Sequence, residues 1–272
     1  MSGHDANDND GTNDPLPKYS GARADLGKES LRPPLPKRFY RAATVAGLSC
    51  GFAILLDGRP VKTPGKTSLV LPTRALADAI AVEWGAQGER IDPATMPLTR
   101  LANTALDAVS AAMGPVADDI VAYAGSDALC YRAQGPVDLV ARQATAWDGL
   151  LDWAARELGA PFIATAGILH APQPALAGPA IARAIAPMDA WQLAPLHVMT
   201  TLMGSAILAL AVARPHITAR AAWDAAHVDE DWQITQWGPD EEAVRRRAQR
   251  WHEMAAAARF MMLARGEQSP ES

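Results

Sequence analysis

The feature that most constrains the fold is a change in the pattern of apolar residues at Pro72. Before it, from about residue 38, short apolar runs alternate with turn signals, the strongest of which is Asp57-Gly58, a dipeptide that favours a tight β-hairpin. A sheet of this size cannot bury both of its faces by itself. We therefore expect a small antiparallel β-rich domain over residues 32–72 that packs on helices or on a partner. Its expected strands are Phe39 to Val45, Phe52 to Leu56, Pro60 to Thr63 and Ser68 to Leu71, with a turn at Gly47 after the first.

Beyond Pro72 the apolar residues follow the period of a helix almost to the end of the chain. Thr73 suits the N-cap of the first helix, on which Leu76, Ile80 and Trp84 share one face. The predicted fold class is therefore α+β, with the β-rich domain followed by a larger all-helical domain over residues 73–272, of which residues 73–90 form a connecting helix. The further helices are expected over residues 98–112, 115–124, 137–158, 177–186, 189–213, 218–227 and 229–263.

Residues 1–31 predict a disordered acidic tail, because they are rich in Asn, Asp and Gly and contain no apolar stretch. A secretory signal peptide needs such a stretch, and a mitochondrial transit peptide is rich in Arg and poor in acidic residues, so neither is indicated. We expect the protein to act in the cytoplasm. Its net charge of −5 disfavours nucleic acid as a partner, because phosphate binding needs a basic surface.

Neither cysteine belongs to a recognisable metal-binding pattern. Cys50 and Cys130 have no short spacing to each other or to a histidine, which excludes a structural zinc site of the usual kind. We expect two lone buried thiols in a reducing compartment, and neither a metal nor a cofactor. His197 lies in an apolar segment and is expected to be a core histidine.

Residues 193–213 contain no charged side chain over a length that could span a bilayer. The same segment contains Pro195, His197, Gly204 and several hydroxyl side chains, and no second segment of this kind exists. A helix that is apolar on nearly all sides is typical of the core of a helical domain. We therefore expect a core helix and no stable insertion into a membrane.

Gly65-Lys66-Thr67 resembles the end of a phosphate-binding loop, but the match fails twice. The pattern needs a glycine where Pro60 stands, and it needs a helix where a strand is expected. No Gly-x-Ser-x-Gly motif marks a nucleophilic serine. Catalytic groups can lie far apart in sequence, so a small-molecule enzyme with a site in the cleft between the two domains stays open as an alternative.

An acidic segment follows Trp237-Gly238, a pair that indicates a kink or break in the last helical stretch with a bulky anchor beside it. Glu241 and Glu242 precede Arg245 and Arg246 by four residues, and this spacing predicts ion pairs along one helix. The alternative is that one carboxylate is displayed for a basic residue of a partner. Composition and spacing leave both interpretations open.

Several blocks, in this order and spacing, resemble the ATP synthase assembly chaperones of mitochondria and related bacteria that bind the alpha subunit of the catalytic head. The similarity covers most of the chain, from about residue 37 to the end of the last helix, and excludes the tail. The blocks are Lys37 to Tyr40, Leu56 to Pro64, Ala81 to Trp84, Met96 to Asp107, Asp127 to Arg132, Gln143 to Asp148 and Glu230 to Glu241.

This resemblance implies a binding protein and not an enzyme. The chaperone would hold the free alpha subunit of the F-type ATP synthase, shield its beta-facing apolar surface from aggregation, and yield it when beta docks. Competition between partners can drive release, so the resemblance implies no cofactor. We expect a monomer that works in the bacterial cytoplasm, as relatives do in the mitochondrial matrix.

The resemblance also implies site residues. In the family an acidic residue after the Trp-Gly pair is implicated in function, which falls here on Glu241, with Asp240 and Glu242 beside it and Trp237 before it. Trp84 matches a second important position, but we expect it to be mainly structural, packing the first helix against the sheet. The remaining family residues are Arg100 and Asn103, which share one helix face, and Asp107 in the same block.

Overall fold

The computed structural model describes residues 34–167, 169 and 171–266, so the tail expected over residues 1–31 lies outside the described part of the chain. The described residues from Pro36 onward form one compact unit. One apolar cluster joins the sheet to the helices, since it contains Ile54 and Leu71 from strands and Phe260 from the last helix. The division into two domains at Pro72 stays a prediction.

The N-terminal sheet is antiparallel, as predicted, with β2 pairing β1, β3 and β4. The hairpin predicted at Asp57-Gly58 is confirmed: both residues have positive φ, 48° and 80°, as the tight turn that suits the twist of paired strands requires. The strands are β1 (Ala43–Leu48), β2 (Gly51–Leu56), β3 (Arg59–Pro60) and β4 (Val70–Leu71).

Three details of the sheet differ from the prediction. The turn predicted at Gly47 lies instead at Ser49-Cys50, and Gly47 is part of β1. A loop of two residues is enough to close a hairpin, so the strand can continue past the glycine. The strand expected over Pro60 to Thr63 is reduced to Arg59–Pro60, since proline has no N–H to donate to a neighbouring strand. Ser68 forms only an isolated bridge, and the strand expected to begin there covers Val70–Leu71 alone.

The rest of the described chain is mainly helical, which confirms the α+β class. Ten α-helices follow in order: α1 (Arg74–Gly85), α2 (Pro97–Thr104), α3 (Met113–Gly125), α4 (Val137–Glu157), α5 (Ala177–Ile185), α6 (Ala190–Met203), α7 (Ala206–Ala213), α8 (Ala219–Ala226), α9 (Val228–Trp237) and α10 (Glu241–Ala264). A π-helical turn, Ala105–Val109, extends α2, and short 3-10 turns cover Pro93–Thr95 and Ala128–Cys130.

Two of the expected long helices are interrupted by glycine. The helix expected over residues 189–213 ends at Gly204, which has φ 66°, and Ser205 then caps α7. The helix expected over residues 229–263 ends at Gly238, which has φ 82°, and Asp240 caps α10. Glycine reaches these backbone angles without the strain that a side chain would cause. The first interruption was not anticipated, whereas the second is the predicted break after Trp237.

The apolar segment is the core of the molecule, as predicted. Every residue of α7 except Val212 is buried, and no helix among the described residues is both long enough and apolar enough to cross a membrane. His197 of α6 is not a core histidine, however. Its side chain is 33% exposed, and Nε2 lies 2.7 Å from the carboxylate of Asp119. An apolar neighbourhood in sequence does not bury every face of a helix.

The first helix begins where predicted and fastens the sheet to the far end of the chain. Thr73 accepts a hydrogen bond from the Leu76 N–H at 3.2 Å as N-cap of α1. The same hydroxyl donates to the Leu263 carbonyl, 190 residues later, at 2.6 Å. α1 ends at Gly85 and not at residue 90, because residues 87–91 instead run beside the extended segment around Arg38.

The region expected to be all-helical also contains a two-residue parallel strand pair, β5 (Tyr131–Arg132) with β6 (Thr165–Ala166). Strands this short leave no alternating pattern in the sequence. The expectation of two buried thiols is half correct, since both cysteines are free and Cys130 is buried, but Cys50 is exposed in the β1–β2 turn. A turn residue rarely finds enough neighbours to be covered.

Candidate partner-binding site

Helix α9 and the first half of α10 lie at the surface of the molecule. α9 has no buried residue, and within residues 241–250 only Arg247 is partly covered. The second half of α10, in contrast, places Met254 and Phe260 in the core. The connection between the two helices therefore lies on the surface, and we call residues 234–244 the tip.

Asp240 has a structural role at the tip. As N-cap of α10, its carboxylate accepts a hydrogen bond from the Glu242 backbone N–H at 2.9 Å. Glu241 and Glu242 then form the first turn of the helix, where negative charge suits the helix dipole. Of the three neighbouring carboxylates, Asp240 is thus the one already occupied by the backbone of its own chain.

The ion pairs predicted for Glu241 and Glu242 are present. Glu241 Oε2 lies 3.8 Å from Arg245 Nη1, and Glu242 Oε1 lies 3.0 Å from Arg246 Nη1. The Glu241 side chain is 92% exposed, against 68% for Glu242. An exposed ion pair contributes about 0–1 kcal/mol. Glu241 can therefore exchange Arg245 for the cation of a partner at small cost.

Trp237 ends α9 with its side chain 85% exposed, the largest exposed fraction among the large apolar residues that the structure describes. An open groove of about 910 Å³ runs beside it, and Ile234 and Val244 contribute apolar lining. The arginines that line the groove are Arg220, Arg246, Arg247 and Arg250. The tip therefore combines an apolar anchor with acidic side chains, and arginines line the groove beside it.

The base of the tip is fixed to the helices below it. Arg247 of α10 contacts the Asp231 carboxylate of α9, and this hydrogen bond raises the pKa of the Arg247 guanidinium. Arg250 donates to the Leu202 carbonyl of α6 and lies 5.9 Å above the ring of Trp223. These contacts tie α10 to α6, α8 and α9, so the tip is displayed from a rigid support.

The other family residues lie on α1, α2 and the turn after α2. Trp84 packs edge-on against Tyr40, with ring centroids 5.7 Å apart, and the Tyr40 hydroxyl donates to the Trp84 carbonyl at 2.7 Å. Arg100 contacts Glu253 of α10. Asn103, one turn further along α2, is partly buried and forms no side-chain hydrogen bond with the described residues. The resemblance gave these residues as structural or family-motif positions, separate from the tip, and the fold places them on other elements.

Asp107 fastens the sheet to the end of α2. Its carboxylate accepts hydrogen bonds from the Thr63 hydroxyl at 2.6 Å and from the Gly65 N–H at 2.8 Å. A Cβ added at Gly65 would lie 2.6–2.9 Å from the atoms of this carboxylate. The turn that resembled a phosphate loop therefore binds an anion of its own chain, and a strand follows it as expected.

Two carboxylates that organise the fold were missed. Glu83 of α1 accepts hydrogen bonds from the Leu98 and Thr99 N–H groups at 2.8 Å, which caps α2 from a neighbouring helix. Asp127 is fully buried and accepts N–H donors from Leu129 and Ile207, both at 3.1 Å. Burial raises the pKa of Asp127 to about 6, although hydrogen bonds from Ser205 and backbone N–H groups oppose the shift.

The sequence offered part of the signal for these two residues. Asp127 stands two residues before Leu129, a spacing that suits an N-cap, and it opens one of the blocks that carry the family resemblance. Nothing in the sequence connects it with α7, or Glu83 with α2, because both contacts join different elements. Among the described residues, no group of three or more His, Cys, Asp or Glu side chains could hold a metal ion.

Known proteins share this architecture. The ATP12 chaperone protein family matches residues 37–155. The crystal structure of Atp12 from Paracoccus denitrificans is 44% identical, with a TM-score of 0.81 over 84% of this chain and 98% of that one, and an aspartate-to-lysine variant of Paracoccus Atp12p gives the same values. A candidate chaperone from Agrobacterium tumefaciens is 47% identical, with a TM-score of 0.81 over 89% of this chain and 91% of that one. The alternative of a small-molecule enzyme is set aside, and the chain belongs to the ATP12 family of assembly chaperones.

Proposed function

We propose that this chaperone binds the free alpha subunit of the F-type ATP synthase catalytic head and shields its beta-facing surface until beta displaces it. The observation that carries the proposal is the tip, where an exposed Trp237 stands beside the weakly paired carboxylate of Glu241. The resemblance of the sequence to chaperones that bind this subunit supports the choice of partner.

The chemistry of the tip suits a reversible contact with a protein. Tryptophan is enriched among the residues that dominate binding energy at interfaces, because it buries a large, rigid apolar surface. Trp237 has little of that surface covered within its own chain. Glu241 adds an electrostatic contact that fixes orientation, and it sits in a first turn that carries two carboxylates.

Release follows from a difference of affinities. The alpha subunit exposes an apolar surface before assembly, and large surfaces of this kind lead to aggregation. The chaperone needs to bind this surface more weakly than beta does, so beta takes over without nucleotide or hydrolysis. We propose that the protein works as a monomer in the cytoplasm, where its client is made.

A binding titration with matched charge reversals tests the proposal. Purified full-length protein is titrated with the alpha subunit, and the suppression of alpha aggregation is followed by light scattering. Glu241→Lys is expected to weaken binding about 10-fold or more. The control is Asp78→Lys, which reverses another exposed carboxylate with an arginine partner four residues away, Arg74 at 2.9 Å, and is expected to bind normally.

Each outcome of the titration has a distinct meaning. Failure of the wild-type protein to bind alpha or to suppress its aggregation refutes the proposed function. Equal binding by wild type and Glu241→Lys leaves the function standing and removes Glu241 from the interface. Equal weakening by both variants assigns the effect to overall charge and removes the tip as the specific site.

A further inference from the structure

Strand β1 forms one edge of the N-terminal sheet, and no strand among the described residues pairs with its outer side. β1 pairs with β2 in the register Ala43 with Leu56 to Leu48 with Gly51, and no other described strand lies beside it. The strand has no buried residue. A Cβ added at Gly47 would meet no described atom within 4 Å, so the face of the sheet is open at this residue.

The register shows which backbone groups face outward. The Asp57 N–H donates to the Ala42 carbonyl at 3.0 Å, so the even-numbered residues of β1 form the hydrogen bonds to β2. Groups alternate along an antiparallel strand. The N–H and C=O groups of Ala43, Val45 and Gly47 therefore point away from β2, and they have no hydrogen-bond partner among the described residues.

In the part of the chain that the structure describes, this edge lacks the features that normally prevent pairing with another chain. Natural edge strands are short, or carry lysine, proline or a bulge, or are covered. The segment from Ala42 to Leu48 contains no charge and no proline, and β1 and β2 pair without a bulge over six residues. The far side of the sheet is protected, in contrast, since β3 and β4 have two residues each and β3 contains Pro60.

We propose that the outer edge of β1 is a second client-binding surface, which receives an extended segment of the unassembled alpha subunit as an added antiparallel strand. The inference depends on the proposed function for the identity of the client. Backbone hydrogen bonds from three outward residues give affinity without demanding a particular sequence. The exposed side chains of Thr44 and Leu48 favour a client strand with apolar or β-branched residues opposite them.

The edge and the tip have complementary tasks under this proposal. The tip recognises side chains, whereas an unpaired strand recognises the backbone of any extended segment whose own sheet partner has not yet arrived. Under this proposal the client without its neighbouring subunit has such segments exposed, and unpaired strand edges of this kind lead to aggregation. Covering them by strand addition protects the client at the positions where aggregation starts.

Hydrogen–deuterium exchange read at single amides tests the proposal directly. In the free protein, the N–H groups of Ala43, Val45 and Gly47 should exchange fast, while those of Thr44, Ala46 and Leu48 should be protected by β2. Saturation of the full-length protein with purified alpha subunit should slow the three odd-numbered amides at least 10-fold. A complex that forms normally while these amides keep exchanging fast overturns the strand-addition proposal and leaves the proposed function intact.

Two substitutions block the edge without touching the β1–β2 ladder. Val45→Pro removes an outward N–H, and proline is tolerated on edge strands. Thr44→Lys places a lysine on the exposed edge. Both are expected to weaken alpha binding at least 10-fold. The control Thr145→Lys makes the same side-chain change on an exposed face of α4 and should bind as wild type does.

The binding of folded variants, self-association of the chaperone and binding by wild type each decide for or against strand addition. Circular dichroism and thermal unfolding establish that each variant is folded, and a folded Thr44→Lys variant that binds alpha as tightly as wild type does overturns the proposal. If the odd-numbered amides become protected without alpha, as the concentration of the chaperone alone is raised, a second copy of this chain occupies the edge and the client-strand proposal is wrong. If wild type fails to bind alpha at all, the proposed function itself fails.

Discussion

Replacing Asp127 by asparagine should change the pH dependence of stability in a direction that identifies the state of this buried carboxylate. Burial raises the pKa of Asp127 from its usual 3.8 to about 6 in the folded protein. The folded state therefore holds a proton between pH 3.8 and about 6 that the unfolded state releases. The stability contributed by protonated Asp127 is complete below pH 3.8 and is lost as the pH rises through about 6.

The size of the effect follows from the same two values. Each pH unit between them corresponds to about 1.4 kcal/mol, so the free energy of unfolding of wild type should fall by about 3 kcal/mol relative to Asp127→Asn across this window. The nearby thiol does not interfere, because burial and the Asp127 charge raise the pKa of Cys130 to about 12. Other groups titrate in both proteins and cancel in the difference when they lie far from the substitution.

The assay is urea unfolding of both proteins at a series of pH values from 4 to 7, followed by tryptophan fluorescence and far-ultraviolet circular dichroism. The quantity compared is the difference between the two free energies of unfolding, at equal denaturant dependence. A difference that stays flat or grows in favour of wild type as the pH rises would refute the reasoning. It would mean that the Leu129 and Ile207 N–H donors outweigh burial and keep Asp127 ionised.

Two further predictions concern contacts between elements. Gly65→Ala should lower the free energy of unfolding by about 1–3 kcal/mol, because the new methyl group overlaps the Asp107 carboxylate and pushes it from the Gly65 N–H. Thr73→Ala should lower it by about 1–2 kcal/mol, because α1 loses its cap and the Leu263 carbonyl loses a donor. Both are measured by urea unfolding at pH 7.

Matched substitutions separate the loss of these two contacts from the general effect of changing a glycine or a threonine. Gly114→Ala adds the same methyl group within α3, where a Cβ meets no atom within 4 Å, and should be neutral or stabilising. Thr73→Ser keeps the capping oxygen and should retain most of the stability. Equal losses for Gly65→Ala and Gly114→Ala would contradict the role given to the Asp107 contact.

The features that the sequence predicted well are those that depend on near neighbours along the chain. Thr73 as a helix cap and Asp57-Gly58 as a hairpin turn each need only a few adjacent residues. The break after Trp237 was predicted in the same way, and the ion pairs of Glu241 and Glu242 follow from helical spacing alone. At the candidate site, the sequence thus indicated the local structure of the tip.

The features that it missed depend on contacts between distant segments. Gly204 interrupts a run of apolar residues whose composition is that of a continuous core helix. Glu83 and Asp127 accept hydrogen bonds from helix ends that lie 15 and 80 residues away along the chain. Contacts over such separations cannot be predicted from the pattern of neighbouring residues. The edge of β1 is of the same kind, because a strand becomes an edge only through the absence of a neighbour in the folded sheet.

The hydrogen bond between the Thr73 hydroxyl and the Leu263 carbonyl has a consequence for synthesis on the ribosome. The first helix completes its contacts only with the last turn of α10, so an emerging chain that ends at α9 lacks the neighbour that secures the sheet. The Thr73 hydroxyl can already cap α1 at that stage, but the Leu263 carbonyl that it binds in the finished fold has not yet been made. The nascent chain thus passes through a stage in which α1 and the sheet are not yet fastened to α10, and that stage ends only when nearly the whole chain has been made.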